Sequence, residues 1–489
     1  MANLPEQIVG TALMTNVARN VEEFLTDLAK GDPNKLDAEG FESAAMRIIN
    51  ELGLALMKEV FLRADESASE VTVNGATWGN RQGTTGTYTV KFGTFKVERS
   101  GYQQASRGRV MFPMDLRLGV VEGRYSPAMA RLMARTIAEM PPERGEVYLK
   151  EVGLGMVSSS TLHRIPQDMG AVYERDRVQI EAVLRGEARV PEAAHTVQVG
   201  MDGVMVPMDS EHAKRRGRAT DAPELARHER HDGPAAEGPA DSDGKSGAAY
   251  HEASVATLSF YDRDGEHLET IYRARMPEYR KETLAAELEA ELSSVLEQRP
   301  KLRVALASDG AETHWEHLAA IQQRLPEGTE SRQLLDFCHG AKYLFDAAKL
   351  VERDEGAALA LAEEWRSKLR HRKDGAEIVI RALRYQRDSA MTPGARDQLD
   401  TIVDFFADHH RNGRLAYKQA ANDAFPIGTG TTEAAAKSVV TVRMKRSGAR
   451  YDSHGGQTIL TFRAALLSNR FDITMREIVA RYSAEVIAA

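Results

Sequence analysis

The spacing of apolar residues changes along the first part of the chain and predicts three regions. Residues 1–66 carry apolar residues at helical spacing, which predicts an N-terminal helical region. Residues 67–125 contain alternating runs typical of strands, and two of these runs meet at Gly93, which predicts a hairpin or a bulge. Helical spacing returns over residues 126–194. We therefore expect a mainly helical N-terminal part that contains a small β-rich module.

Residues 144–170, in the third region, have the pattern of two short helices joined by a glycine-containing turn. This is the outline of a helix-turn-helix, whose second helix can enter the major groove of DNA. Many helical hairpins share the outline, so a structural role and a DNA-reading role both stay open. For the DNA-reading role, the candidate residues near the start of the second helix are Ser159, Ser160, His163 and Arg164.

From residue 195 the pattern changes to alternating strands and helices. Three successive strands predict an antiparallel meander, and two further strands, each preceded by a helix, favour parallel pairing. The fold class is therefore α/β with a mixed sheet. We expect the first part of this core at residues 195–345, an all-helical insertion at 346–411, and the last part with C-terminal helices at 412–489.

A polar, charged stretch at residues 209–249 separates the first two strands of the core. It is rich in proline and glycine and has too little apolar surface to fold alone, which predicts a mobile loop. The loop contains His212, His228 and His231, which could bind a metal ion. Their spacing is irregular, so solvated loop residues are the favoured interpretation.

Composition limits the classes of protein that remain. The chain of 489 residues has one cysteine, which excludes an internal disulfide framework and any cysteine-based zinc site. No apolar run approaches the roughly 18 residues that span a bilayer, and no signal peptide is recognisable, so we expect a cytoplasmic protein. The net charge of −8 weighs mildly against a nucleic-acid partner. Basic clusters at 214–218, 366–373 and 442–450 are solvated surface or local DNA contacts.

Three carboxylates lie at positions where an unpaired charge would destabilise the fold. Asp202 lies inside the first strand of the core, Asp309 closes a later strand, and Glu433 opens a late helix. A carboxylate in an apolar strand must be paired, hydrogen-bonded or bound to a metal. Simpler explanations are a turn at Asp202-Gly203, a helix cap at Asp309, and an ion pair between Glu433 and Lys437.

Carboxylates that meet at one point repel each other unless cations intervene. Mg²⁺ or Mn²⁺ suits such an oxygen site, and two such ions can drive in-line attack on phosphorus. A polyanionic substrate also needs cations beside the site. The candidates after Glu433 are Lys437, Arg443, Lys445, Arg446 and Arg450.

The order of these motifs resembles the DDE transposases of bacterial insertion sequences, in the group allied with Mutator-like elements. The resemblance rests on Asp202 in the first strand, "SDGAETHW" around Asp309, "DFCHGAKYL" and "IGTGTTEAAAKSVVTVRMKRSG" around Glu433. It covers most of residues 195–470. The chain departs from the family in "ERSGYQQASRGRV", which has no cysteine where relatives often carry a zinc-ribbon-like element.

The resemblance implies an RNase H-like core interrupted by a helical insertion before the final glutamate. It implies that Asp202, Asp309 and Glu433 are catalytic and bind two Mg²⁺ or Mn²⁺ ions, and that Asp336 and His339 are accessory residues. The implied partners are double-stranded DNA, as terminal inverted repeats and target, and further copies of the chain in a homodimer or higher oligomer. The implied location is the bacterial cytoplasm, with nucleoid association when DNA is bound.

Other interpretations stay open at this stage. The protein could be a metal-dependent, structure-selective nuclease of the same fold, or a catalytically silent DNA-binding protein derived from a transposase. Asp336 and His339 could form a local Asp–His hydrogen bond that orients the chain. Trp315, six residues after Asp309, is favoured as a core residue over a platform for an unpaired base.

Overall fold

The computed structural model of the protein describes residues 12–32, 35–81, 83–104, 108–154, 157–209, 236–237, 249–390 and 392–488. The chain forms two compact units. The first comprises Met1–Ile180 together with Phe471–Ala489, and the second comprises Glu181–Arg470.

The first unit combines helices with two small sheets, as the pattern of apolar residues predicts. Its helices are α1 (Ala12–Lys30), α2 (Ala38–Ala64), α3 (Pro113–Leu118), α4 (Pro127–Glu139), α5 (Pro142–Glu151), α6 (Ser159–Arg175) and the start of α7 (Arg177–Glu187). Its first strands are β1 (Glu70–Val73), β2 (Ala76–Asn80), β3 (Thr84–Val90), β4 (Gly93–Arg99) and β5 (Tyr102–Gln103). The predicted hairpin is confirmed, since β3 and β4 pair antiparallel and close at Val90 and Gly93.

The end of the chain belongs to this first unit, which differs from the predicted division. Residues 471–489, expected beside the catalytic core, form α18 (Phe471–Ala480) and β12 (Val486–Ala488). Strand β12 pairs antiparallel with β1, with Val486 opposite Val73. It thereby supplies the edge strand of a four-stranded sheet in the order β12-β1-β2-β5. So short a strand has no alternating pattern that would have revealed it.

The second unit contains the predicted alternation of strands and helices. Its strands are β6 (Thr196–Met208), β7 (Ala236–Glu237), β8 (Ala249–Tyr261), β9 (His267–Arg275), β10 (Arg303–Ser308) and β11 (Ser331–Leu335). Its helices after α7 are α8 (Glu282–Gln298), α9 (Glu312–Gln323), α10 (Phe337–Val351), α11 (Glu355–His371), α12 (Gly375–Asp388), α13 (Pro393–Arg411), α14 (Tyr417–Asn422), α15 (Gly430–Ala435), α16 (Val442–Met444) and α17 (Ser453–Leu467). A π-helical turn, Ala436–Thr441, joins α15 to α16.

The sheet of this unit is mixed, and its strand order is β11-β10-β6-β8-β9. Strands β6, β8 and β9 form the predicted antiparallel meander. Strands β10 and β11 run parallel to β6, also as predicted. The short β7 adds to the start of β8. Because β6 and β10 are parallel neighbours and the last residue of β10, Ser308, is paired with Met201, the residue after β10 lies beside the middle of β6.

Separate apolar clusters hold the layers of this unit together. On one face of the sheet, α8 and α9 bury a cluster that contains Leu288, Leu306 and Trp315. Trp315 is 4% exposed, which confirms the prediction that it is a core residue. A second cluster packs the π-helical turn and α17 against β6 and β8. Helices α10 to α13 share a third cluster, so the predicted helical insertion has its own core.

A buried group of charges links three elements of the second unit. Glu291 of α8 is 1% exposed and accepts hydrogen bonds from Arg273 of β9 and from Arg470. Arg273 also donates to Glu181 of α7 at 2.6 Å. Burial raises the pKa of Glu291, but the two guanidinium groups have the larger combined effect and lower it to about 2. The charges therefore compensate one another inside the core.

Two further predictions concern the sequence between the strands. Most of the predicted loop at 209–249, with His212, His228 and His231, lies outside the described residues. Helix α8 begins at Glu282, directly after Arg280 and Lys281, which adopt left-handed backbone angles with φ of 47° and 56°. None of the helices in the described ranges combines the length and apolarity that crossing a bilayer requires.

Candidate active site

Two aspartates lie side by side on neighbouring parallel strands. Met201 of β6 is paired in register with Ser308 of β10, and each is followed directly by an aspartate, Asp202 and Asp309. The hydroxyl of Ser308 donates to the carbonyl oxygen of Met201 at 3.4 Å. Adjacent strands are about 4.8 Å apart, so Asp309, directly after the end of β10, lies beside Asp202 in the middle of β6. Strand β6 continues through Asp202 to Met208, which excludes the simple turn that the sequence left open.

The environment of Asp202 is anionic. Burial raises its pKa, a hydrogen bond from the backbone N–H of Gly203 at 2.7 Å opposes this, and the charge of Asp309 raises the pKa again. His314 lowers the pKa, and Glu433 raises it. The electrostatic field at Asp202 therefore includes both of the other predicted carboxylates.

Asp309 is held as a carboxylate by a neighbouring histidine. Burial raises the pKa of Asp309, but a hydrogen bond and the charge of His314 lower it, helped by the backbone N–H of Ala311 and by the charge of His339. The resulting pKa is about 2. The backbone N–H of Ala311 lies 3.3 Å from Asp309 Oδ1, so Asp309 also stabilises the turn that leads into α9.

Close packing between helix α15 and the sheet places Glu433 near these aspartates. Thr432, the residue before Glu433, is fully buried, and its hydroxyl lies 2.7 Å from that of Thr257 on β8. A Cβ atom added at Gly200 of β6 would lie only 2.1 Å from Thr432 Oγ1. The helix can therefore approach this closely only because position 200 carries no side chain. Gly200 lies two residues before Asp202 on the same strand.

The side chain of Glu433 is exposed and forms an ion pair with Lys437 at 2.7 Å. This is the local pairing that the sequence left open. An exposed pair of this kind is worth about 0.3–0.5 kcal/mol. So small an interaction holds the carboxylate only weakly against a competing ligand.

Asp336 fixes the segment that precedes Glu433. It caps α10 by accepting from the backbone N–H of His339, and its second oxygen accepts from both the N–H and the hydroxyl of Thr429. Gln198 of β6 donates to the carbonyl oxygen of Gly428 at 3.0 Å. The segment before α15 is thus tied both to α10 and to the central strand.

Asp336 and His339 form the local Asp–His hydrogen bond that the sequence left open. The bond goes to the backbone of His339, because Asp336 occupies the helix cap and its other oxygen faces Thr429. The His339 ring packs edge-on against Tyr343, with centroids 5.3 Å apart. Its charge lowers the pKa of Asp309.

Residues that the sequence did not single out complete the surroundings. His314 is 1% exposed, with its Nδ1 3.2 Å from Ser308 Oγ and 3.6 Å from Asp309 Oδ1. Its Nε2 lies 4.0 Å from Glu252 Oε1, and Glu252 is paired with Lys281 at 3.3 Å. The burial of His314 comes from tertiary packing, and the only sequence signal was its position five residues after Asp309.

The cations that follow Glu433 differ in accessibility. Lys437, Lys445 and Arg450 are exposed, and Arg446 is half-buried. Arg443, predicted to contact DNA, is 3% exposed and donates to Tyr451 Oη at 3.0 Å. Arg443 is therefore buried in the described conformation, and its contact with DNA stays a prediction.

Cations of the helical insertion act on Cys338, near the start of α10. Burial raises the pKa of Cys338, and the charges of Asp336 and Glu433 raise it further, whereas Arg366 and Arg370 of α11 lower it. Cys338 is exposed and is therefore an accessible neighbour of all four groups. Two residues of the basic cluster at 366–373, which the sequence allowed to be plain surface, thus act on the same thiol as Glu433.

The predicted helix-turn-helix residues lie in the first unit. Helices α5 and α6 form the expected hairpin, and Ser158 caps α6 by accepting from the N–H of Thr161. Ser160, His163 and Arg164 are exposed and Ser159 is half-buried. Arg164 pairs with Asp168 at 3.2 Å, and the N–H of Ser159 donates to Glu146 at 2.6 Å. DNA binding by this face stays a prediction.

Oxygen donors are present for a divalent cation, although they are not gathered into a closed cage. Over the described residues, no group of three or more His, Cys, Asp or Glu side chains is close enough together to hold a metal ion. Asp202 and Asp309 offer carboxylate oxygens, which are the donors that Mg²⁺ and Mn²⁺ prefer. Glu433 could add a third carboxylate by leaving Lys437. The donor chemistry therefore fits the predicted ions, with Glu433 as the group that has to move.

Comparisons with known proteins find only weak structural similarity to this chain. No protein-family model and no curated protein matches the sequence. Among solved structures it is similar to the Drosophila P element transposase strand transfer complex, at 13% identity over 72% of this chain and 83% of that chain, with a TM-score of 0.23. It is also similar to a pre-cleavage Mos1 transpososome, at 12% identity over 59% of this chain and 79% of that chain, with a TM-score of 0.15. Similarity at this level carries no argument about the function of this chain.

Proposed function

We propose that the protein is a DNA transposase of the DDE type with an RNase H-like core. The observation that carries the proposal is the placement of Asp202 and Asp309 on adjacent parallel strands, with Glu433 on a helix packed against the same central strand. The mixed sheet supports the RNase H-like core, because an antiparallel meander is followed by parallel strands as that resemblance implies. The helical insertion between Asp309 and Glu433 supports it too.

In this proposal Asp202, Asp309 and Glu433 hold two Mg²⁺ or Mn²⁺ ions. When bound, such ions activate the attacking oxygen and stabilise the leaving oxygen of a phosphodiester. The chain itself contributes the placement of the three carboxylates. His314 and the N–H of Ala311 orient Asp309, the N–H of Gly203 orients Asp202, and the contact between Thr432 and Gly200 sets the position of Glu433.

The exposed cations would hold the DNA backbone beside these carboxylates. Lys437, Lys445 and Arg450 follow Glu433 on one side, and Arg366 and Arg370 lie on the side of Cys338. Side chains of this type neutralise phosphates and make binding depend on salt concentration. The net charge of −8 does not prevent this, because association depends on the local field around the site.

The proposed reaction has two steps. Water attacks a phosphodiester at the end of the element, breaks its bond to the 3′-oxygen and releases a 3′-hydroxyl. That hydroxyl then attacks a phosphodiester of the target DNA and forms a new P–O bond, while the 3′-oxygen of the target strand leaves as a hydroxyl. The α5–α6 hairpin is proposed to recognise the terminal inverted repeats. Joining two ends requires at least two copies of the chain, so we propose a homodimer or higher oligomer on DNA.

The test uses the full chain with a labelled element end in Mg²⁺. We expect nicking and strand joining by the native protein and loss of both in Asp309→Asn, with DNA binding retained. Absence of both reactions, or full activity of Asp309→Asn, would reject the proposal. Hydrolysis without joining would instead identify a structure-selective nuclease.

A second candidate is a catalytically silent DNA-binding protein. One observation favours it: Glu433 is paired with Lys437 and no closed carboxylate cage is present among the described residues. Calorimetric titration with Mn²⁺ separates the two candidates. A transposase binds Mn²⁺ and loses affinity in Glu433→Gln, whereas a silent relative shows the same weak binding in both proteins.

A further inference from the structure

A buried histidine stands behind Asp309. His314 lies in the first turn of α9 and is 1% exposed. Its Nδ1 lies 3.2 Å from the hydroxyl of Ser308 and 3.6 Å from Asp309 Oδ1, and the Ser308 hydroxyl lies 3.2 Å from that same carboxylate oxygen. With the backbone N–H of Ala311 at 3.3 Å, three polar groups therefore meet around one oxygen of Asp309.

The second nitrogen of the ring faces another carboxylate. His314 Nε2 is buried without a hydrogen-bond partner, and Glu252 Oε1 lies 4.0 Å from it. Glu252 projects from β8 and crosses over Gly203, where an added Cβ atom would lie only 1.7 Å from Oε1. The absent side chain at position 203 thus leaves the space that Glu252 occupies.

A strained turn holds Glu252 in this place. Lys281 has a left-handed backbone with φ of 56°, as does Arg280 with φ of 47°. Consecutive non-glycine residues in this region are costly and persist only where the surroundings hold them. The Lys281 ammonium lies 3.3 Å from Glu252 Oε1 and 3.4 Å from the hydroxyl of Thr313, next to His314. The turn therefore connects β8 to the first turn of α9.

We propose that His314 is a positioning residue that orients the Asp309 carboxylate for a divalent cation, and that Glu252, braced by Lys281, holds the His314 ring from its far side. This inference rests on the function proposed above. Side chains that contact metal ligands from behind fix the orientation of those ligands, and their loss typically lowers metal affinity about tenfold to a hundredfold. In this proposal Glu252 does not bind the cation itself, because its Oε1 is paired with Lys281. It affects the cation only through the His314 ring.

The first experiment measures Mn²⁺ binding by calorimetry on the full chain, without DNA. We expect His314→Ala to weaken Mn²⁺ affinity about tenfold or more. We expect His314→Gln to recover part of the loss, because its amide can donate to Asp309. His267→Gln is the matched control, since His267 lies at the start of β9, opposite Tyr261 and so near the far end of β6, roughly 20 Å from Asp202.

A double-mutant cycle tests the role of Glu252. Glu252→Gln should weaken Mn²⁺ binding in the native background and have no further effect in the His314→Ala background, because the effect passes through the ring. Equal effects in both backgrounds would contradict the proposed connection. Thermal unfolding of each variant separates positioning from general destabilisation, since a merely structural role would lower the melting temperature at unchanged Mn²⁺ affinity.

The outcomes also distinguish this inference from the proposed function. Binding of Mn²⁺ by the native chain with loss in Asp309→Asn, together with native-like affinity in His314→Ala, would overturn the role of His314 alone. Failure of the native chain to bind Mn²⁺ would overturn both. If His314→Ala does not fold, His314→Gln and Glu252→Gln decide the question, and native-like Mn²⁺ affinity in both would overturn the inference.

Discussion

Individual side chains at this site are placed by contacts that are far apart in the sequence. Asp336 shows this most directly, because its two oxygens bind partners on different elements: the backbone of His339 and, 93 residues away, Thr429. Asp336 is 6% exposed, so each of these bonds is made away from water. A buried carboxylate with such partners acts as a cross-link between α10 and the segment before Glu433.

Replacing Asp336 tests this cross-link. We expect Asp336→Asn to lower the free energy of unfolding by about 1–3 kcal/mol, because an amide nitrogen would face N–H and O–H donors. Denaturant unfolding measures the loss. Thr429→Ser keeps both donors and is the matched control, with near-native stability expected. Equal stability of Asp336→Asn and the native protein would show that the bonds to Thr429 contribute nothing.

At the scale of elements, the contact between α15 and β6 determines where Glu433 lies. Gly200 gives Thr432 room to approach the sheet, and the Thr432 hydroxyl bonds to Thr257 on the next strand. The π-helical turn that follows α15 directs Arg443 inward and leaves Lys437 and Lys445 outside. Such wide turns interrupt helices mostly at functional sites.

Gly200→Ala should disturb this contact specifically. The new methyl group would overlap Thr432 Oγ1, and overpacking of this kind costs about 1–3 kcal/mol. Gly430→Ala is the control, since nothing lies within 4 Å of a Cβ atom at that position. In unfolding experiments, the double variant Gly200→Ala/Thr432→Ala should be less destabilised than the sum of the single variants. Simple additivity would mean that the two positions do not touch.

The charge network around Glu291 links α7, β9 and α8 and makes stability depend on pH. Its pKa of about 2 is below the usual value of 4.5, so Glu291 contributes stability above about pH 4.5 and loses it as the pH falls towards 2. We expect Glu291→Gln to cost about 3–5 kcal/mol at neutral pH, because two buried guanidinium groups lose their counter-charge. Between about pH 2 and 4.5, the free energy of unfolding of Glu291→Gln should change less with pH than that of the native protein. The exposed Glu297→Gln on the same helix should behave like the native protein.

Patterns of local sequence were sufficient to predict most strands and helices of the second unit. β-branched runs and helical spacing predicted the meander, the parallel strands and the helical insertion, because each signal lies within a few residues. Other features depend on distant partners. The burial of Arg443 and His314 comes from tertiary packing. The left-handed turn at Arg280 and Lys281 contains no glycine, which is the residue that would have predicted such a turn.

At the scale of the molecule, the last residues, Phe471–Ala489, belong to the first unit. Strand β12 covers the edge of β1 and places Val486, which is 9% exposed, in a small core with Val71 and Tyr102. The first unit is therefore built from both ends of the chain, while the proposed catalytic unit is continuous from Glu181 to Arg470.

Disrupting β12 should affect one unit selectively. We expect Val486→Asp to speed hydrogen exchange in β1 and β2, because a carboxylate cannot be buried against Val71 without a partner. Amides of β6 and β10 should keep their native protection. Ile487→Thr, at a position that is 55% exposed, is the control with little expected effect. Faster exchange throughout the chain would contradict independent stabilities of the two units.

The central claim is that Asp202, Asp309 and Glu433 share a pair of divalent cations. Anomalous X-ray diffraction from crystals of the full chain soaked in Mn²⁺ measures this directly. We predict Mn²⁺ density between Asp202 and Asp309, with the Glu433 carboxylate turned away from Lys437 to reach it. Mn²⁺ bound elsewhere, or Glu433 still paired with Lys437 while the aspartates hold the ion, would contradict the account.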